Sequence, residues 1–224
     1  MKIIELHKSI TESNDRDAEK LRNRLRKQGL LLVNLMSSAG SGKTTMLSRT
    51  ITDLKDRVRI AVMEADIDAS VDAERIAALG AVSIQVHTDG MCHMDAGMTE
   101  EGLNNMDLEG IDIAFLENIG NLICPAEYDT GAGCNVMILS VPEGDDKPLK
   151  YPLMYQKSQA LVLSKMDALP YFDFDLEKFR ERVLFLNPSI QIFPVSAKTG
   201  EGMEDLEAWL LEETAKWQGS GNHA

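Results

Sequence analysis

Cysteine is scarce in this chain, with 3 in 224 residues, and an odd number does not close into a disulfide framework. Cys92, Cys124 and Cys134 therefore read as reduced thiols. Long apolar runs are missing too. Gly29 to Met36 and Ala160 to Leu163 are the longest, far too short to cross a bilayer. The segment Met1 to Lys8 has no apolar stretch of secretory length, so a cytoplasmic location is expected. A basic surplus is absent as well. The net charge of −13 repels phosphate backbones and anionic lipid, so neither nucleic acid nor membrane is an expected partner. Any nucleotide site must build its own positive potential.

What is present is ordinary globular material: 44% hydrophobic and 26% charged residues, enough for one large domain with a substantial core. Residues 1–28 form a charged, helix-favouring arm in which Leu21 and Leu25 stand at i, i+4. Short apolar runs follow at Leu30 to Met36, Arg59 to Met63, Val82 to Val86, Asp112 to Leu116, Val136 to Val141, Ala160 to Ser164 and Ile190 to Val195. Helical stretches lie between most of them, including Asp72 to Leu79, Leu176 to Leu186 and Met203 to Lys216. This alternation predicts an α/β fold, a mostly parallel sheet with helices on both faces, over residues 29–217. Residues 218–224 are polar and small and are expected to be a disordered tail.

Gly40-Ser41-Gly42-Lys43-Thr44-Thr45 sits between the first strand and the next helix. Phosphate binding needs that arrangement: glycines turn backbone N–H groups inward, and a helix N-terminus adds positive potential. Lys43 would reach the β- and γ-phosphates and Thr44 would ligate Mg²⁺. The full P-loop pattern places a glycine at position 37, where this chain has Ser37. Position 38 is Ser38, so the signature lysine of MinD-like ATPases is absent.

Four further elements fit a nucleotide switch. Glu117-Asn118-Ile119-Gly120 resembles the D-x-x-G element of GTPases, with Glu117 near Mg²⁺ and the Gly120 N–H facing the γ-phosphate. Asp66 is the expected Mg²⁺-side residue after the second strand, with Asp68 and Asp72 as competitors. Ser164-Lys165-Met166-Asp167 resembles N-K-x-D, so Asp167 would accept from the guanine N1 and N2 donors and Lys165 would pack over the base. Ser196-Ala197-Lys198 matches the loop that covers guanine O6.

Cys92 and His93 are adjacent, and Cys124 follows shortly after Gly120. Thiolate and imidazole suit Zn²⁺ and Ni²⁺, although buried structural cysteine would give the same residues. Three ligands leave a tetrahedron open, and a two-fold dimer could close it. Cys134 fits a structural role better.

These pieces together resemble the hydrogenase-maturation nickel-insertion GTPases, close kin of the urease accessory GTPases. The matching segments are the phosphate loop, Cys92 to Ala96, Glu117 to Ala126, Glu143-Gly144-Asp145-Asp146 and Lys198-Thr199, within about Gly29 to Trp217. The resemblance implies a SIMIBI-class P-loop domain that binds GTP or GDP with Mg²⁺. It also implies a GTP-promoted homodimer, with Ni²⁺ or Zn²⁺ held at the interface by Cys92, His93 and Cys124. Lys150 is the best match for a lysine that reaches the partner's nucleotide. The implied partners are a small nickel metallochaperone and, indirectly, the hydrogenase large subunit. Two departures stand out: residues 1–28 contain no cysteine, and Ser164 replaces the family Asn. Three alternatives stay open. A urease-accessory GTPase would show Cys-Pro-His where this chain has Cys92-His93, and a cobalt-handling relative would show C-x-C-C. A metal-binding adaptor would use nucleotide only structurally.

Overall fold

The computed structural model describes residues 6–66 and 76–221. Seven parallel strands form one sheet in the order β3-β2-β4-β1-β5-β6-β7. They are β1 Leu31–Ser37, β2 Ile60–Asp66, β3 Val82–His87, β4 Ile113–Gly120, β5 Cys134–Ser140, β6 Ala160–Ser164 and β7 Gln191–Pro194. β1 and β6 are buried along their whole length, which is why they read as unbroken apolar runs and not as alternation.

The helices are α1 Leu6–Gln28, α2 Lys43–Leu54, α3 Ala96–Asn104, α4 Cys124–Glu127, α5 Lys147–Lys150, α6 Pro152–Lys157, α7 Leu176–Leu186 and α8 Met203–Gly221. Alternate residues of β5 and β6 feed two separate apolar clusters, one on each face of the sheet. Val136, Ile138, Ala160 and Val162 join α1, α2 and α8. Met137, Leu139, Leu161 and Leu163 join α6 and α7. The predicted doubly covered parallel sheet is the observed one, and among the described strands it is wholly parallel.

α1 shares the core despite its charged sequence. Leu21 and Leu25 are fully buried against the first cluster, worth about 1.5–3 kcal/mol each. Arg22 grips both carboxylate oxygens of Asp129 at 2.6 Å and the Ala132 carbonyl at 2.9 Å. The boundary expected after residue 28 therefore does not separate two packing units. At the other end α8 continues to Gly221, and Gln218 donates to Asp112 at 3.1 Å. The tail expected from residue 218 is thus helical that far, because Trp217 and Gln218 have partners on the body of the domain. Residues 222–224 lie outside the described residues, as do Asp68, residues 72–75 of the expected second helix, and the side chain of Asp66. No helix among the described residues is long and apolar enough to cross a membrane.

β1 lies between β4 and β5, with β2, β3 and β4 built out to one side of it and β5, β6 and β7 to the other. Such a switch point opens a crevice beyond the carboxyl ends of the strands. The phosphate loop, Glu117 to Gly120, Ser164 to Asp167, Ser196 to Lys198 and the Cys92–His93 and Cys124 stretches all lie at that end.

Candidate nucleotide and metal site

The loop after β1 turns on two glycines. Gly40 and Gly42 have φ of 73° and 99°, left-handed values that favour glycine. Lys43, the first residue of α2, donates to Ser37 Oγ at 2.8 Å, and Ser41 donates to the same oxygen at 2.8 Å. Ser37 thus fixes the lysine with a hydroxyl where the P-loop pattern has glycine. Ser38 hydrogen-bonds Glu143, whose other carboxylate oxygen closes a capping box with Ser140.

β4 runs through Glu117 to Gly120 and does not stop at Leu116, because its pairing continues to Ser37 across a bulge. That places Glu117, 6% exposed, where Thr44 donates to its Oε1 at 3.0 Å. Glu64 of β2, also buried, stands in register with Glu117. Gly120 abuts the phosphate loop so closely that a Cβ there would lie 2.8 Å from the Ala39 backbone nitrogen.

The base side is built by the loops after β6 and β7. Lys165 takes a left-handed φ of 59° and reaches back to the Gly40 carbonyl at 2.7 Å, while Ser164 donates to the Ser41 carbonyl at 2.6 Å. Ser164 thus performs a loop-tethering job with a shorter side chain than the expected Asn. Ser196 donates to Asp167 Oδ1 at 2.8 Å, and Lys198 stands 3.9 Å from Oδ2. Gly42, Thr45, Lys165, Asp167, Ala197 and Lys198 line a cavity of about 250 Å³. A carboxylate oriented by its neighbours at the rim of such a pocket can accept two parallel N–H donors.

Beyond β3 the chain makes a tight turn, with Asp89 and Gly90 at positive φ and Thr88 bonded to Met91. Asp95 then caps α3 by accepting from the Met98 N–H at 2.8 Å. Cys92 and His93 sit between these two anchors. Cys124 opens α4, after Asn121 accepts from the Ile123 N–H. The two stretches meet: Cys92 Sγ is 2.8 Å from Cys124 Sγ and 3.8 Å from His93 Nδ1, and the three ligand atoms lie within 4.8 Å of one another. Burial lowers the His93 pKa, which favours the neutral imidazole a metal needs. The hydrogen bond with Cys92, helped by burial, raises the Cys124 pKa and so favours its thiol form. Two sulfurs bound tetrahedrally at ~2.3 Å from a metal stand roughly 3.7 Å apart. Metal entry would therefore displace the thiol protons and spread the pair by about 1 Å.

The family model for the nucleotide-binding domain of CobW/HypB/UreG matches residues 31–194. The hydrogenase maturation factor HypB of Rhizobium leguminosarum bv. viciae is 45% identical over 215 residues, 96% of this chain and 72% of that protein. The chain belongs to the HypB family. A crystal structure of HypB from Helicobacter pylori in complex with nickel superposes with a TM-score of 0.85 at 38% identity, covering 91% of this chain and 96% of that one. The signal recognition particle 54 kDa protein from Aeropyrum pernix, at 13% identity and a TM-score of 0.55, shares the fold alone.

Within this HypB-family chain the expected phosphate-loop, base and metal residues converge as described. Lys150 stands apart from them, exposed at the end of α5 and paired with Asp146 at 2.5 Å. Cys134 is buried, and its thiol is pushed up to about 12 by burial. Several participants were not singled out from the sequence. Glu143 contacts the phosphate loop, Tyr128 stacks on His93 with centroids 3.8 Å apart, and Asn34 and Asn118 form a buried pair. Glu143 lies in a segment already matched to the family. Asn118 lies in another, Glu117 to Ala126, whereas Asn34 and Tyr128 left no motif.

Proposed function

We propose that this protein is a GTPase that couples GTP hydrolysis and dimerisation to nickel delivery during hydrogenase maturation. The observation that carries the proposal is one continuous segment, Glu117 to Cys124. It begins at a carboxylate bonded to Thr44 of the phosphate loop and ends at a thiol in contact with Cys92. Only three residues separate Gly120 from Cys124, so a shift at the γ-phosphate position displaces a metal ligand.

GTP lies with its phosphates along Gly40 to Thr45 and its base against Lys165, Asp167, Ser196, Ala197 and Lys198. The Thr44 hydroxyl and Glu117 carboxylate, 3.0 Å apart, form the hard oxygen donor set that suits Mg²⁺, with Asp66 at the same sheet end. When bound, Mg²⁺ supplies charge neutralisation on the phosphate oxygens. Lys43 stabilises the charge that develops there, and the Gly120 N–H aligns the γ-phosphate. Water oxygen bonds to the γ-phosphorus as the bridging P–O bond to the β-phosphate breaks, giving GDP and phosphate.

Nickel is the cargo. Cys92, His93 and Cys124 supply three ligands, and a second copy completes the coordination sphere in a homodimer, with Lys150 directed at the partner's nucleotide. Zn²⁺ suits the same donors. Loss of the γ-phosphate loosens the dimer and releases the metal to a small nickel metallochaperone and so to the hydrogenase large subunit, in the cytoplasm. The test pairs two variants. Lys43→Ala should abolish GTP turnover yet still bind Ni²⁺, and Cys92→Ala should lose Ni²⁺ yet still bind GDP. Normal turnover in Lys43→Ala, or normal nickel affinity in Cys92→Ala, would remove the corresponding half of the proposal.

A further inference from the structure

A chain of asparagines runs through an otherwise apolar part of the sheet. Asn118 and Asn34 are each 1% exposed, among Leu31, Leu32, Val33 and Leu35 of β1. Asn118 Nδ2 donates to Asn34 Oδ1 at 3.0 Å, and Asn34 Nδ2 donates to Asn135 Oδ1 at 3.0 Å. Asn135 continues to the Lys157 carbonyl at 3.2 Å. In the other direction Asn118 Oδ1 accepts from the Ile119 N–H at 2.9 Å and from the Met94 N–H at 3.2 Å. Met94 is fully buried and follows His93 directly.

Burying amides costs free energy that an apolar side chain of the same size would not, and a half-satisfied network costs more still. Packing alone therefore does not account for this chain. Its geometry accounts for it better. Asn118 lies between Glu117 and Gly120, and Asn34 lies three residues before Ser37. Their shared hydrogen bond joins the two strands that flank the phosphates, and Asn118 hands that position on to the Cys92–His93 loop.

We infer that Asn118 is a positioning residue that transmits the nucleotide state of the phosphate loop to the Cys92–His93 half of the metal cluster. The inference rests on the proposed coupling of GTP to metal and deepens it. Cys124 follows the end of β4 through the covalent chain. Cys92 and His93 follow it through the Asn118–Met94 hydrogen bond, so both halves of the cluster move with one strand end. Without the second link Cys124 would move alone.

The experiment measures the Ni²⁺ dissociation constant of the full chain with GDP and with a non-hydrolysable GTP analogue, in the wild type and in Asn118→Ala. The readout is the ratio of the two constants. Asn118→Ala should draw that ratio toward one by about 3- to 30-fold, the scale of a single coupling residue. A wild-type ratio retained in Asn118→Ala overturns the inference and leaves the proposed function standing. A wild-type ratio of one overturns both. A second measurement needs no variant: the Met94 backbone amide signal of metal-free wild type should change when GDP is replaced by the analogue. If that signal stays fixed, the inference fails even where Asn118→Ala does not fold.

Discussion

Gly120→Ala is the sharpest perturbation of the switch. Gly120 is needed for close approach, because its backbone does not require a positive φ. An added methyl carbon would meet the Ala39 backbone nitrogen at 2.8 Å, its Cα at 2.9 Å and its Cβ at 3.1 Å. None of these atoms belongs to a side chain that can swing aside. Either β4 or the phosphate loop must move, and overpacking against fixed atoms costs about 1–3 kcal/mol. For a domain of this size that lowers the melting midpoint by roughly 2–12 °C. The displacement also carries the Gly120 N–H away from the γ-phosphate, so GTP turnover should fall by about tenfold or more. Differential scanning fluorimetry of the nucleotide-free protein and a phosphate-release assay measure the two effects. A variant with unchanged midpoint and unchanged turnover would refute the contact and with it the argument that strand end and loop move together.

Other expectations are simpler. Asp167→Asn removes the charged bidentate acceptor, so GTP affinity should fall about 10- to 100-fold while xanthosine triphosphate, with a carbonyl at C2, gains; competition binding reads both. Alkylation at pH 8 should modify Cys92 and Cys124 in the folded protein and reach Cys134 only on unfolding, because burial holds that thiol at about 12; rapid labelling of three thiols by mass spectrometry would contradict this. Glu207 of α8 faces Asp53, Arg49 and Arg57, and burial with Asp53 beside it pushes its carboxyl up to about 7. An acid raised in the folded state costs stability as pH climbs from about 4.5 to about 7, and the loss is complete above that. Glu207→Gln should therefore melt higher than wild type at pH 8, by about 1 kcal/mol after solvent screening, and no higher at pH 4.

Much of this site was legible in the sequence, because phosphate, guanine and soft-metal chemistry each demand particular residue types at fixed spacing. Gly40 to Thr45, Asp167, Ser196 to Lys198 and Cys92-His93 all stand where strand ends place them. The parts that were not legible depend on partners distant in sequence. Leu21 and Leu25 look like a thin stripe on a charged helix until the body of the domain covers them. The strand expected from the sequence ends at Leu116, before the polar Glu117, yet pairing with β1 carries β4 through to Gly120. Asn34 sits inside an apolar run, where one amide gives no signal of its own. Its meaning comes from Asn118 and Asn135 on the neighbouring strands.

In the proposed function, nucleotide state and metal occupancy are one equilibrium. Equilibrium Ni²⁺ binding in the presence of GDP and of a non-hydrolysable GTP analogue, with molecular mass read in the same samples and Cys92→Ala as control, tests it most directly. Affinity, stoichiometry and dimer content should change together with the nucleotide, and the control should bind no nickel. Nickel binding indifferent to both nucleotide and Cys92 would contradict it and return the cysteines to a structural role.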